Sequence, residues 1–268
     1  MFEKYRVPLG KKLDLSDYDP ADTPFNGESK GDDKARMAEL ALKLDELQTL
    51  LHANCRQRVL LVLQGMDTSG KDSTIRAVFQ NVDPLGIRVA NFKSPTPTEL
   101  ARDFLWRVHS VVPGAGELVI FNRSHYEDVL ITRVHDWIDA DECKRRYTHI
   151  NNFERLLADN HTRIVKCFLY ISSDEQRKRL QERIDDPNKH WKFELNDLKE
   201  RSFWPHYTKA YEAALSATST EHAPWYVVPS DAKRHRNLMV AELLVQALTD
   251  LNLSYPPARP ELAGMKVE

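Results

Sequence analysis

Val59-Leu-Leu-Val-Leu-Gln-Gly-Met-Asp-Thr-Ser-Gly-Lys-Asp72 decides how this chain is read. Its first six residues, Val59–Gln64, are an apolar run of strand length, and a helical pattern opens near Asp72. Between them stands G-x-x-x-x-G-K, from Gly65 to Lys71, in the strand–loop–helix setting that the motif requires. Gly65 and Gly70 let the backbone curl so that successive N–H groups, Ser69 and Gly70 among them, point inward. The helix N-terminus adds partial positive charge and Lys71 a mobile full charge, so the segment is a phosphate cradle.

The residue after the lysine departs from the usual pattern. A Ser or Thr hydroxyl normally sits there to hold Mg²⁺, and here it is Asp72, followed by Ser73 and Thr74. Asp67, inside the loop, is a hard oxygen donor suited to Mg²⁺ (or Mn²⁺) or its water shell, so metal binding is expected to centre on it.

Outward from this segment, four more apolar runs read as strands: Arg88–Phe92, Glu117–Phe121, Thr162–Ile171 and Trp225–Val228. Helical patterns separate them over Lys71–Val82, Thr98–Val111, Asp141–Asn160 and Ser202–Ala217, and a last helix covers Arg236–Leu251. Strands alternating with helices predict a three-layer α/β fold, a parallel five-stranded sheet covered on both faces. Upstream, Met37, Leu40, Leu44, Leu47 and Leu51 recur at helical spacing, a stripe that packs on the chain's own sheet or serves as a dimer seam. Residues 1–33, polar with scattered Asp, Pro and Gly, read as an extended arm outside the core, 34–251 as the kinase-like domain, and 252–268 as a tail.

At 268 residues with 41% hydrophobic and 29% charged residues, the composition is that of a folded water-soluble chain, and no apolar run approaches the roughly 20 residues that span a bilayer. The opening Met1-Phe-Glu-Lys-Tyr-Arg6 lacks the apolar stretch of a secretion signal, and Cys55, Cys143 and Cys167 have no metal-ligand spacing, so a cytoplasmic protein with reduced thiols is expected. A net charge of −2 argues against a nucleic-acid partner, and an anionic substrate must be held by local clusters.

Such clusters exist. Past the third strand comes Asn122-Arg-Ser-His-Tyr-Glu-Asp128, at the carboxyl end of the sheet where ligands of parallel sheets lie. Arg123 is placed to neutralise a moving phosphoryl group. Arg177–Lys192 holds six Lys/Arg against three acids, with Arg179 and Arg183 on one helical face and Lys189 nearby. That face would hold several phosphates by charge and bidentate hydrogen bonds, and Arg133 and Lys93 could extend it. Lys233-Arg-His-Arg236 reads as a solvated helix end, and Trp106, Trp191 and Trp204 as packing residues. Direct in-line transfer needs no nucleophile, and His125 is given no such role.

Taken in order, Gly65–Asp72, Ser94-Pro-Thr-Pro-Thr-Glu-Leu100 with Phe104-Leu-Trp-Arg107, Phe121–Val129, and Arg179-Leu-Gln-Glu-Arg183 with Lys189-His-Trp-Lys192 resemble the polyphosphate kinase type 2 family over residues 35–250. The resemblance implies a thymidylate-kinase-like P-loop core with a helical lid at about 174–201, and inorganic polyphosphate as phosphate donor to AMP or ADP, giving ADP or ATP. Asn122-Arg-Ser, with Glu127-Asp128 following, looks like the class III subgroup, associated with both acceptors, where most ADP-phosphorylating members carry Asp-Arg-Ser. Because Asn122 is neutral, Asp67 would carry more of the metal binding, with Asn122 or Glu127 assisting through water. The family likeness also makes a homo-oligomer, dimer or tetramer, plausible. The loop could cradle either the polyphosphate or the nucleotide phosphates. Two other readings stand beside this one: an ATP-dependent nucleoside or nucleotide kinase on the same core, and a non-catalytic nucleotide-binding module.

Overall fold

The alternation of buried side chains along Val59–Leu63 sets the layers. Leu60 and Val62 enter one core, Val59, Leu61 and Leu63 the other, and all five are fully buried. A computed structural model describes residues 2–267; Met1 of the arm and Glu268 of the tail lie outside them. The elements are α1 (Lys30–Asn54), β1 (Arg58–Gln64), α2 (Lys71–Phe79), β2 (Ile87–Asn91), α3 (Pro97–Leu100), α4 (Trp106–His109), β3 (Leu118–Asn122), α5 (Ile131–Val134), α6 (Ala140–Asp159), β4 (Thr162–Tyr170), α7 (Ser173–Asp185), α8 (Leu195–Ser202), α9 (Trp204–Thr218), β5 (Trp225–Pro229) and α10 (Lys233–Thr249). The sheet is parallel throughout in the order β2-β3-β1-β4-β5, with Leu63 of β1 opposite Asn122 of β3 and Cys167 of β4. Helices α1, α2 and α10 cover one face; α6 and α9 cover the other.

The stripe of α1 belongs to this packing. Leu40, Leu44, Leu47 and Leu51 are buried in the core shared with α10 and are not available as a dimer seam. The helix starts at Lys30 because Ser29 caps it: its hydroxyl accepts from the Gly31 and Asp32 amides while Asp32 accepts from the Ser29 amide. The single helix expected over Thr98–Val111 is instead two short ones, α3 and α4. Between them the Asp103 carboxylate accepts from the Leu105 amide at 3.0 Å, closing a turn that diverts the backbone from helical bonding.

The arm also departs from expectation, because its apolar residues join the core. Tyr5, Val7, Leu13 and Leu15 are buried, and the amides of Val7, Leu13 and Leu15 bond Trp225 O, Ser216 Oγ and Glu212 Oε1. Prolines and aspartates kept it from forming a long regular element, not from packing along β5 and α9. Of the three tryptophans read as packing, Trp191 is 79% exposed and Trp106 projects half out under the Arg102 guanidinium, so neither is core.

Candidate functional site

Strands β1 and β3 are paired in register, so the loops leaving their carboxyl ends sit side by side. The Gly65–Lys71 loop is set by backbone that only small or strained residues adopt. Gly70 has φ +102° and Thr68 φ +61°, and a Cβ at Gly65 would press on Leu169 O and the Ser69 side chain. Lys71 folds back into the curl, where its Nζ donates to Gly65 O (2.7 Å), Met66 O (3.3 Å) and Ser69 Oγ (3.3 Å). Burial, helped by the nearby Arg123 guanidinium, pushes its ammonium down to about 8, against the pull of Asp67, Glu127 and Asp72. Gly70, at the N-cap position before α2, has no side chain to cap it.

From β3, Arg123 enters the same space in the left-handed conformation, φ +61°, a strained position for a long side chain. Its guanidinium donates to Asp67 Oδ1 at 3.1 Å and Glu127 Oε2 at 3.4 Å. Burial opposes its charge, but Glu127 and Asp67 outweigh this and raise its pKa further. Burial would likewise raise Asp67, yet Lys71 and Arg123 hold its carboxyl below its ordinary range. Asp197 of α8 lies near Asp67; burial, reinforced by that carboxylate, raises the Asp197 pKa. Asn122 Nδ2 donates to Asp72 Oδ1 (2.6 Å) and Asn91 Oδ1 (2.8 Å), tying the ends of β2 and β3 to the first turn of α2.

The Arg123 loop is pinned from beneath. Gln64 Nε2 donates to Ser124 Oγ at 3.1 Å, joining the residue before Gly65 to the residue after Arg123. Lys166 donates to Glu154 (2.6 Å) and Tyr126 Oη (2.9 Å), and Tyr126 in turn donates to Glu154 (2.8 Å), all fully buried. His125 lies against the same Glu154.

The structure therefore gathers Gly65, Asp67, Ser69, Gly70, Lys71, Asp72, Asn122, Arg123 and Glu127 around the ends of β1 and β3, and of these Gly65, Asp67, Arg123 and Glu127 line a cleft of about 1210 Å³. Of the other basic residues singled out in the sequence, Lys93 lines the cleft and the rest do not. Arg179 is buried, and its guanidinium donates to Thr68 O, Ser69 O, Ser230 O and Asp231 O, behind the loop. Arg183 donates to Lys192 O and faces Asp197. Lys189 pairs with Asp186, and Arg133 with Asp136, at the surface. The opening of α10 is solvated only at Lys233 and Arg234, because His235 and Arg236 are 0% and 1% exposed. Beyond Lys93 and Arg123, the cleft's cations are Arg102, Arg107, Arg146 and Arg201. Of these, Arg107 was quoted only within a motif and the others went unread; Arg107 pairs with Asp128 at 3.1 Å. Asp197 was missed too, since nothing in its neighbourhood marks which way the α8 first turn faces.

Apolar walls, including Phe92, Phe104, Trp137 and Trp204, give the cleft room for a planar ring beside its charges. Among the described residues no three His, Cys, Asp or Glu side chains gather into a self-contained metal cage. Asp67 and Glu127 both line the cleft, and a site of one or two carboxylates completed by substrate phosphates is the kind that suits Mg²⁺.

A sequence model of the polyphosphate kinase 2 (PPK2) family matches residues 27–255. The chain is 52% identical, over 99% of its length and 98% of the relative's, to a Meiothermus ruber protein named AMP/ADP-polyphosphate phosphotransferase. It is 43% identical, over 96% and 93% of the two lengths, to a Rhodopseudomonas palustris ADP-polyphosphate phosphotransferase. The crystal structure of polyphosphate kinase 2 from Arthrobacter aurescens TC1 superposes with TM-score 0.92 at 46% identity, covering 98% of this chain and 92% of that one.

Proposed function

This chain belongs to the polyphosphate kinase 2 family, and from that premise we propose that it transfers the terminal phosphoryl group of inorganic polyphosphate to AMP and ADP, yielding ADP and ATP. The observation that carries the mechanism is the meeting of the Gly65–Lys71 loop with Arg123 at the ends of adjacent strands. A phosphate oxygen of the acceptor nucleotide attacks the terminal phosphorus of polyphosphate. The new P–O bond forms as the bridging P–O bond breaks, and the chain leaves one unit shorter, with no covalent enzyme intermediate. Lys71 exchanges its contacts with Gly65 O and Met66 O for phosphate oxygens, and Arg123, freed from Asp67 and Glu127, neutralises charge on the moving group.

Mg²⁺ or Mn²⁺ belongs to this reading, held by Asp67 with Glu127 or Asn122 through water; when bound it would offset charge on the reacting phosphates. Residues 174–201 act as a lid over the cleft, bringing Asp197 against Asp67 and carrying Arg183 and Lys189 on its face. The protein acts in the cytoplasm, and a homo-oligomer is favoured by the open edge of β2, where Leu85 and Val89 stay exposed. An ATP-dependent kinase would need a metal-binding hydroxyl after Lys71, where Asp72 instead accepts from Asn122. ATP formation from ADP and polyphosphate with no other donor tests the reading. Failure of that reaction, beside steady ATP consumption with a nucleoside or nucleotide acceptor, would replace it with the ATP-dependent one.

A further inference from the structure

Three consecutive carbonyls of the phosphate loop are gripped by side chains far away in sequence, Arg179 and Arg236 from behind the loop and Gln176 from the cleft wall. Gln176 Nε2 donates to Asp67 O at 3.1 Å. Arg179 Nη1 donates to Thr68 O at 2.9 Å and Ser69 O at 3.3 Å, and Arg236 Nη1 donates to Ser69 O at 3.0 Å. In a planar trans peptide the carbonyl of one residue and the amide of the next point in opposite directions. Fixing those three oxygens therefore turns the N–H groups of Thr68, Ser69 and Gly70 to the other side of the loop. The Ser69 amide closes a turn on Met66 O at 3.1 Å, while those of Thr68 and Gly70 donate to no other group among the described residues.

The grip is rigid. Arg179 is also tied to Glu175 (2.8 Å), Ser230 O (2.7 Å) and Asp231 O (2.9 Å), and Arg236 to Ser73 Oγ (2.9 Å) and Asn237 Oδ1. Both guanidiniums are buried, and a Cβ at Gly70 would collide with that of Arg236. Glycine is thus required at position 70 by the arginine behind it as well as by its backbone angle. Arg236 has no carboxylate partner among the described residues, so its charge acts on the peptides it touches. A cation at the oxygen end of a peptide strengthens the N–H at the other end as a donor.

We propose that Gln176, Arg179 and Arg236 are positioning residues for phosphoryl transfer, holding the carbonyls of Asp67, Thr68 and Ser69 so that the Thr68 and Gly70 amides are aimed at the phosphate without any of the three touching it. This rests on the reading of the loop as the phosphate cradle. It assigns Arg179, expected to lie along the polyphosphate, and Arg236, expected in solvent, to the loop's outer wall.

The test uses the full chain with Arg236→Met, Arg236→Lys and Gln176→Leu, and titrates tripolyphosphate and AMP separately by calorimetry beside steady-state kinetics. Arg236→Met is expected to weaken tripolyphosphate at least tenfold and raise KM for polyphosphate, with AMP affinity within about twofold of wild type. Arg236→Lys, keeping one donor and the charge, should recover part of the loss, and Gln176→Leu should weaken tripolyphosphate about threefold. A purely structural contribution would lower Tm or the active fraction and leave the Kd of the folded protein unchanged; that result in Arg236→Met overturns the proposal. If Arg236→Met does not melt cooperatively, Gln176→Leu decides, and wild-type tripolyphosphate affinity in that variant overturns it. A wild-type enzyme inactive with polyphosphate would count against the function itself, a separate outcome.

Discussion

Lys71 makes phosphate binding a proton-coupled event. In the free protein its ammonium sits at about 8, below its ordinary 10.5, because it is buried beside Arg123. A bound polyanion favours the charged form and returns the pKa to 10 or higher. Protonation of the free loop is then about 90% at pH 7, half at pH 8 and a tenth at pH 9. Binding should accordingly take up about 0.1, 0.5 and 0.9 proton per site at those pH values, and affinity should fall about tenfold between pH 7 and pH 9, worth about 1.4 kcal/mol. Calorimetry with tripolyphosphate in two buffers of different ionisation enthalpy reads the uptake directly. Lys71→Arg, which stays charged throughout, supplies the contribution of the ligand's own titration. Equal uptake by wild type and Lys71→Arg at pH 8 would refute the argument. For the free fold the sign is opposite. A lysine whose pKa is depressed on folding disfavours the native state while protonated, so this penalty is full below pH 8 and fades as pH rises toward 10.5.

Arg123→Ala should lower kcat about 10³-fold with little change in folding, since the residue faces the cleft and its loss removes charge neutralisation at the moving group; single-turnover transfer measures it. Asp67→Asn should raise the Mg²⁺ concentration for half-maximal rate at least about tenfold, read from a metal titration of activity at fixed polyphosphate. Glu154→Gln strands a buried Lys166 and should cost about 3–5 kcal/mol, whereas the double change Glu154→Leu/Lys166→Met should recover much of that in urea unfolding. Leu15→Ala, in the arm, should cost about 2–5 kcal/mol in the same assay; a value near zero would mean that the arm does not support the core.

The sheet was readable because its central strands are short apolar runs with alternating loops and helices, a signal that each run carries within itself. The phosphate loop was readable for the same reason, with strand, glycines, lysine and helix lying within fourteen consecutive residues. Spacing correctly told that Arg179 and Arg183 lie on α7, but it cannot tell which neighbour a helix face meets. That depends on contacts between positions some hundred residues apart, and there Arg179 turned to the loop's carbonyls while Arg183 stayed near α8. Lys233-Arg-His-Arg236 misled for a related cause. A charged run is soluble on average, and it is the approach of Ser69 O, Ser73 Oγ and Asn237 Oδ1 that gives Arg236 a reason to be inside. The arm looked loose because scattered Asp, Pro and Gly dominate it; its few apolar side chains are too irregularly spaced to show a period, yet Tyr5, Val7, Leu13 and Leu15 each find a slot.

The long reach of Arg236 has a bearing on how the molecule is made. A ribosome releases the Gly65–Lys71 curl early, and almost two-thirds of the polypeptide must still be synthesised before α10 can arrive with its guanidinium. Until then the nascent chain carries the glycines and the lysine without their outer support, and the arm cannot bond the Asp231 amide through Pro20 O. Anion affinity is therefore acquired near the end of translation, in one step with the docking of the last helix, and a ribosome-stalled fragment ending before residue 233 should not retain tripolyphosphate.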